Sequence, residues 1–198
     1  ATAFALAVTL PQAGNLGGGG FLVLWLPRSG SIRTCRPASR AIGANATVPQ
    51  AIRIGRGEAV ALNFRETAPQ AAQADQFLNA DGSVNRDRAL RSLISTAVPG
   101  TVAGLTQVQE RYGCLSRQTV MAPAIALAQR GFPVGAELSA SLQAASAWLQ
   151  ADPASKALFF KSGGSLYRPG EILRQPDLAA SLRCIADQGA SCFYRGRL

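Results

Sequence analysis

Residues 17–24 read Gly-Gly-Gly-Gly-Phe-Leu-Val-Leu, and this stretch decides how the first part of the chain folds. Each glycine lacks a Cβ atom, so four in a row let the backbone approach a neighbouring segment very closely. Residues 21–26 have the length and the apolar content of a buried strand. A phosphate-binding loop is not indicated, because such loops follow a strand and open a helix, whereas these glycines precede a strand. The pattern predicts a tightly packed turn that leads into a strand.

A second segment, residues 59–69, reads Ala-Val-Ala-Leu-Asn-Phe-Arg-Glu-Thr-Ala-Pro. Its alternating apolar residues Val60, Leu62 and Phe64 predict a strand over residues 58–64 that pairs antiparallel with the first. Arg65 then lies where a strand ends and a loop begins, which is the usual place for a binding group. Taken alone, an arginine in such a position is more often part of a surface ion pair.

The composition is that of a globular protein with a hydrophobic core, since the chain has 198 residues and 47% apolar content. The net charge of +9 does not predict a nucleic-acid partner, because the arginines are scattered among apolar residues and no basic run or aromatic stacking platform is present. No apolar stretch has the length of a membrane span. Residues 3–10 are expected to form a helix that enters the glycine-rich turn, and its uncapped beginning is typical of a fragment.

Histidine is absent from the sequence, which excludes Ser-His-Asp and Cys-His catalytic arrangements and His-ligated zinc sites within this chain. The remaining route to an activated hydroxyl is an N-terminal Thr or Ser whose own amine acts as the base, and Ala1 cannot serve. The acidic residues are separated by loops and show no helical pairing. No catalytic residue and no metal or cofactor site is therefore predicted in this chain.

The four cysteines are too widely spaced for a metal cluster and are expected to be buried or free thiols. One alternative is that Cys184 and Cys192, eight residues apart across a helix end, close a small loop in an oxidising compartment.

We predict a single partial domain over residues 1–198, with a strand hairpin at 20–65 and a helical part at 86–190. A basic loop at 31–57, rich in Arg and containing two prolines, separates the two strands. Apolar periodicity and capping residues predict helices beginning near Thr101 and ending before Gly113, over residues 117–130 and 136–150, and from Pro176 to Gly189.

Together the two segments resemble the large subunit of gamma-glutamyltranspeptidase. Seven further short words occur in that family's order and with similar spacing, so the resemblance covers nearly the whole chain: residues 75–78, 98–105, 111–115, 122–125, 130–133, 175–180 and 193–196. The resemblance implies an α/β (α+β) N-terminal-nucleophile hydrolase fold, an αββα sandwich in which this chain is a portion of the large subunit only.

The resemblance also implies an enzyme made as one precursor that cleaves itself into a large and a small subunit. The Thr that starts the small subunit attacks the γ-glutamyl amide of glutathione or a related compound, and water or an acceptor amine resolves the acyl-enzyme. Arg65 matches the arginine that holds the α-carboxylate of the substrate. No metal or organic cofactor is implied, and the location is periplasmic or secreted in a bacterium. This chain alone is expected to be inactive.

Two alternatives to this interpretation stay open. A cephalosporin or glutaryl acylase relative would share the architecture and act on a different acyl group, and Arg65 does not distinguish the two, since a dicarboxylate side chain can also use it. The second alternative is a truncated, catalytically inactive gene product. The basic loop at 31–57 is the clearest departure from the family, which usually joins these strands by a short turn.

Overall fold

The computed structural model describes residues 1–27, 50–54, 57–196 and 198, with the backbone alone described at 27, 50–54, 57 and 58. The helices are α1 (Thr2–Thr9), α2 (Arg86–Arg91), α3 (Thr101–Tyr112), α4 (Arg117–Arg130), α5 (Ala136–Ala144), α6 (Ser146–Ala151), α7 (Pro153–Phe159), α8 (Pro176–Gln188) and α9 (Ala190–Arg195), and a 3₁₀ turn lies at Leu93–Ser95. The strands are β1 (Phe21–Pro27), β2 (Gln50–Ile54), β3 (Gly57–Asn63), β4 (Phe132–Pro133) and β5 (Ile172–Leu173).

Contacts between Cα atoms divide the described residues into two compact units, and the prediction of a single partial domain stays a prediction. The sheet unit contains residues 17–27, 50–54 and 57–104, and the helical unit contains residues 1–16, 105–196 and 198. The division falls within α3. No helix in the described part of the chain is long and apolar enough to cross a membrane.

The sheet unit is built on the predicted pair of strands. β1 and β3 are antiparallel, with Phe21 opposite Asn63 and Leu24 opposite Val60. Because side chains alternate across a strand, Val60 and Leu62 are buried on one face. On the other face of β1, the side chains of Phe21, Val23 and Trp25 are 66%, 76% and 50% exposed. The sheet therefore has one covered face and one apolar face that the described residues leave uncovered.

The prediction of a loop over residues 31–57 is wrong at residues 50–54. These residues form β2, which pairs antiparallel with β3. The sheet order is β1-β3-β2, so β3 lies between two partners. Ile52 and Ile54 have a high preference for strands, but the neighbouring arginines and Pro49 conceal this signal in the sequence. The rest of the predicted loop, at 31–49 and 55–56, lies outside the described residues.

The core of the helical unit lies where α4 packs against α1 and α8. The predicted bounds of α4 are confirmed, because the Ser116 hydroxyl accepts a hydrogen bond from the Thr119 N–H at 3.1 Å and Gly131, with φ of +87°, ends the helix. The fully or almost fully buried residues of the three helices are Phe4, Ala7, Val8, Met121, Ala124, Ala128, Ala179, Leu182, Ile185 and Ala186.

Two helical predictions need correction. The helix predicted over residues 136–150 is interrupted at Ala145, where φ is −91° and ψ is 3°, and the Trp148 N–H bonds back three residues to the Ala145 carbonyl at 3.0 Å. α8 ends before Gly189 as predicted, but the chain then continues as α9.

The expectation of free thiols is wrong for the cysteines that the structure describes. Cys184 on α8 and Cys192 on α9 form a disulfide with their Cα atoms 6.0 Å apart, which is the alternative that the sequence left open. Cys114 is also disulfide-bonded. Cys35 lies outside the described residues.

An ion pair closes the loop between α7 and α8. Lys161 Nζ lies 2.7 and 2.8 Å from the two carboxylate oxygens of Glu171, and the Arg168 N–H donates to the same carboxylate at 2.7 Å. The Arg168 N–H, and after it the Lys161 ammonium, hold the pKa of Glu171 below its ordinary value of 4.5. The folded chain thus favours the ionised carboxylate.

We expect a Glu171→Gln variant to be less stable than the unsubstituted chain, with a pH-dependent difference. The pKa of Glu171 is lowered on folding, so its contribution is fully present above 4.5 and is lost as the pH falls through the lowered pKa. Thermal unfolding between pH 3 and 7 measures this. The control is Asp187→Asn, since the Asp187 carboxylate has no hydrogen bond or ion pair among the described residues. A difference between Glu171→Gln and the unsubstituted chain that stays constant across this range would contradict the prediction.

Candidate functional site

The glycine-rich turn packs against the segment that carries Arg65. The Gly20 N–H donates to the Phe64 carbonyl at 3.2 Å, and the Phe64 N–H donates to the Gly20 carbonyl at 2.9 Å. This reciprocal pair extends the β1–β3 ladder by one step beyond the strands. The Gly20 N–H is thereby used in the sheet, which agrees with the prediction of a packed turn.

Close backbone approach explains why glycine is needed here. A Cβ atom on Gly19 would lie 2.7 Å from the Glu66 nitrogen and 2.8 Å from the Arg65 Cα. Real Cβ atoms essentially never come this near to backbone atoms. The predicted close packing of the glycine-rich turn is therefore confirmed, and its neighbour is the segment Phe64–Glu66.

The beginning of α3 closes the same segment from another direction. The N–H groups of Gly100 and Thr101 both donate to the Gly18 carbonyl, at 2.8 and 2.9 Å. A Cβ atom on Gly100 would collide with the carbonyl group of Phe64, and one on Gly104 would collide with the Phe64 side chain. The contact of Gly104 was not predicted from the sequence, although Gly100 just before α3 and Gly104 in its first turn, four residues apart, do signal that another element approaches closely.

A backbone bridge fixes the residues on the far side of Arg65. The Thr67 N–H donates to the Val98 carbonyl at 3.2 Å, and the Val98 N–H donates to the Thr67 carbonyl at 2.8 Å. The short segment from Phe64 to Thr67 is therefore held at both ends. Its backbone positions Arg65 on a rigid support, as a binding residue requires.

The Arg65 side chain extends from this segment, and its guanidinium is hydrogen-bonded through Nε while its two terminal nitrogens remain accessible. Nε donates to a Glu66 carboxylate oxygen at 3.1 Å, and the guanidinium carbon lies 5.8 Å from the centre of the Phe21 ring. The backbone N–H donates to the Asn63 side-chain oxygen at 3.0 Å. The side chain is 63% exposed, and within the described ranges its two terminal nitrogens have no hydrogen-bond partner. The pair Nη1 and Nη2 can thus receive a carboxylate.

Glu66 is the charged neighbour of Arg65. Its own backbone N–H has the largest effect and lowers the pKa of Glu66. Desolvation, the next largest, raises it, and the Arg65 guanidinium and the Gly19 N–H lower it again, so that the net shift is downward. The carboxylate is therefore ionised at neutral pH. A negative charge bonded to Nε fixes the plane of the guanidinium and directs its free edge away from Glu66.

The described residues contain no group of three or more Cys, Asp or Glu side chains that could hold a metal ion. The structure brings Arg65, Glu66 and Phe21 together with the glycine-rich turn. No nucleophile and no base in this chain were predicted from the sequence, so this group of residues can be assigned a binding role and no catalytic one.

Comparison with known proteins gives a consistent family signal. The family model described as gamma-glutamyltranspeptidase matches residues 35–198. The glutathione hydrolase proenzyme of Pseudomonas sp. (strain A14) is 34% identical over 198 residues, which are 100% of this chain and 30% of that protein. The crystal structure of Helicobacter pylori gamma-glutamyltranspeptidase has a TM-score of 0.79 and 34% identity over 98% of this chain and 48% of that chain.

An acylase also occurs among the relatives. The acylase ACY 1 proenzyme of Pseudomonas sp. (strain V22) is 35% identical over 153 residues, which are 74% of this chain and 27% of that protein. Its coverage of this chain is smaller than that of the glutathione hydrolase proenzyme. The likeness to the Helicobacter pylori structure confirms the predicted fold class, an N-terminal-nucleophile hydrolase fold of which this chain is a portion. The chain spans about a third of the length of its curated relatives.

Proposed function

Because the chain belongs to the gamma-glutamyltranspeptidase family, we propose that it is part of the large subunit of a glutathione hydrolase and that Arg65 binds the α-carboxylate of a γ-glutamyl substrate. The observation that carries the proposal is that only one side of the Arg65 guanidinium is hydrogen-bonded among the described residues. Its Nε donates to Glu66, while Nη1 and Nη2 have no hydrogen-bond partner among the described residues and belong to an exposed side chain. A guanidinium in this state binds a carboxylate through two parallel charge-assisted hydrogen bonds and thereby orients the substrate.

In the proposed reaction this chain supplies binding and support, and the small subunit supplies the nucleophile. A Thr at the start of the small subunit uses its own amine as base, attacks the γ-glutamyl amide and forms an acyl-enzyme. Water or an acceptor amine then releases the γ-glutamyl group. Arg65 holds the far end of the substrate throughout, so that the reacting amide stays aligned with the nucleophile.

The proposed partner is that small subunit, made from the same precursor. Two features of the sheet unit support it. First, the uncovered face of β1 carries Phe21, Val23 and Trp25, and exposed apolar patches of this kind mark surfaces that another protein segment covers. Second, Arg65 lies beside Phe21 at one end of that face. A segment that covers the face would therefore also approach the substrate-binding residue.

We further propose a periplasmic or secreted location. The disulfide between Cys184 and Cys192 and the disulfide-bonded state of Cys114 support it, because disulfides persist mainly in oxidising compartments.

The test is hydrolysis of γ-glutamyl-p-nitroanilide by the enzyme assembled with its small subunit. We expect Arg65→Ala to raise KM about 10- to 100-fold, the loss expected when charge-assisted hydrogen bonds to a substrate disappear. The KM of Arg65→Lys should lie between those of the unsubstituted enzyme and Arg65→Ala, because lysine keeps the positive charge but lacks the planar guanidinium that pairs with both carboxylate oxygens. The control is Arg88→Ala, which removes an exposed arginine whose side chain makes no hydrogen bond or ion pair with the described residues.

Each arm of this test has a different meaning. Unchanged KM in Arg65→Ala would refute the role of Arg65, while activity itself would still support the family function. Hydrolysis of glutaryl amides without hydrolysis of γ-glutamyl amides would establish the acylase alternative. An assembled protein that hydrolyses neither would establish an inactive gene product.

A further inference from the structure

The short helix α9 has few means of its own to stay folded. It contains six residues, its N-cap is Gly189 without a side-chain cap, and it has no acidic residue in its first turn. Isolated helices shorter than about 12 residues are marginal in water, because nucleation costs more than a few hydrogen bonds return. α9 therefore depends on its attachment to the rest of the helical unit.

That attachment includes a covalent bond. Cys184 on α8 and Cys192 on α9 are joined across Gly189, which has φ of +72° and reverses the chain between the two helices. The Cys192 side chain is buried at 1% exposure, whereas Cys184 is half-buried. An external thiol can thus reach the sulfur of Cys184 more easily than that of Cys192.

α8 is held in place without the disulfide. Leu182 and Ile185 are fully buried in the core that α8 forms with α4. Arg117, the first residue of α4, donates from Nε to the Ala186 carbonyl at 3.0 Å and from Nη1 to Glu110 at 2.7 Å. These contacts stabilise the end of α8 whether or not the sulfur bridge is present.

We propose that the Cys184–Cys192 bond is a redox-sensitive clasp that keeps α9 folded against α8 and releases it when the bond is reduced. The co-reactant is a dithiol. Its thiolate attacks the Cys184 sulfur, the bond between the two cysteine sulfurs breaks, and Cys192 leaves as a thiolate that takes up a proton. The second thiol of the reductant then displaces Cys184 as a thiolate, which is also protonated, and the reductant becomes a cyclic disulfide. Two electrons pass from the dithiol to the protein.

The released state is local. Without the covalent bond, α9 loses the closure of an eight-residue loop, while α8 keeps its core and its contacts with Arg117. Loop-closure entropy for a loop of this size corresponds to a change of roughly 10- to 100-fold in the opening equilibrium. The clasp concerns residues in the helical unit and is independent of the role proposed for Arg65.

Hydrogen exchange of backbone amides, with and without dithiothreitol, tests the clasp. We expect the amides of residues 192–195 to exchange roughly 10- to 100-fold faster in the reduced protein, with those of residues 180–186 unchanged. In the double variant Cys184→Ser, Cys192→Ser, α9 should exchange fast from the start and dithiothreitol should add nothing. Cys114 remains disulfide-bonded in that variant, so any effect of its reduction appears in both proteins.

Equal exchange of α9 in the oxidised and reduced forms would overturn the proposal. Loss of protection in α8 and α9 together would also overturn it, because the bond would then support the helical core and not a local switch. If the double variant does not fold, a Cys114→Ser variant decides the question, because Cys184–Cys192 is then the one disulfide among the described residues that dithiothreitol can reduce.

Discussion

Gly100→Ala is expected to destabilise the sheet unit by about 3 kcal/mol or more, at or beyond the upper end of typical overpacking costs. The added methyl group would collide with the Phe64 carbonyl oxygen and lie 2.7 Å from the Phe64 carbonyl carbon. Backbone atoms cannot rotate away as a flexible side chain does. Moreover, Gly100 donates its N–H to the Gly18 carbonyl at 2.8 Å, so a shift of α3 would break a second contact. Urea unfolding followed by circular dichroism measures the loss.

The matched control for this substitution is Gly163→Ala. A Cβ atom on Gly163 would meet nothing within 4 Å, and its φ is not positive, so alanine fits there without strain. We expect a change within about 0.5 kcal/mol for this variant. Equal stability of Gly100→Ala and Gly163→Ala would show that the glycine-rich turn, Phe64 and α3 do not approach as closely as described.

Leu182→Ala is expected to destabilise the helical unit by about 2–5 kcal/mol. Leu182 is fully buried in the core formed with α4, so the smaller side chain would lose its apolar burial and leave a cavity. For a domain of this size the midpoint of thermal unfolding should fall by about 4–20 °C. Thermal unfolding followed at 222 nm measures the shift.

The same substitution at Leu115 provides the comparison. Its side chain is 61% exposed and lies in the same unit, so Leu115→Ala changes the chemistry of the residue by the same amount without opening a cavity. We expect a shift within the error of surface substitutions, about 0.5 kcal/mol. If Leu182→Ala cost no more than Leu115→Ala, the packing of α8 against α4 would have to be rejected.

Local signals explain which parts of the fold could be predicted. α4 begins after the capping Ser116 and ends at Gly131. Ser116 acts through a hydrogen bond to a nearby N–H and Gly131 through its own backbone dihedral angles, so both signals are local in the sequence. The strand pair of β1 and β3 follows from alternation in two apolar runs. The position of Arg65 at the end of β3 follows from the same alternation, since it is the first charged residue after the run.

Contacts between distant residues explain what could not be predicted. β2 is defined by its pairing with β3, and its own sequence, with Arg53 next to two isoleucines, indicates a basic loop as well as a strand. The approach of Gly104 to the Phe64 side chain joins residues 40 positions apart. The open edge of the Arg65 guanidinium depends on the direction in which Glu66 holds it, and residue type alone does not give that direction.

The uncovered face of β1 has a consequence for handling the chain in isolation. Phe21, Val23 and Trp25 are exposed on a strand that lies at the edge of the described sheet, and no other described strand pairs with the outer backbone groups of β1. An apolar edge strand of this kind is a template for ordered aggregation. We therefore expect the isolated chain, without the proposed small subunit, to self-associate as its concentration rises. Co-expression with the proposed small subunit, or the substitution Val23→Lys, should reduce this self-association.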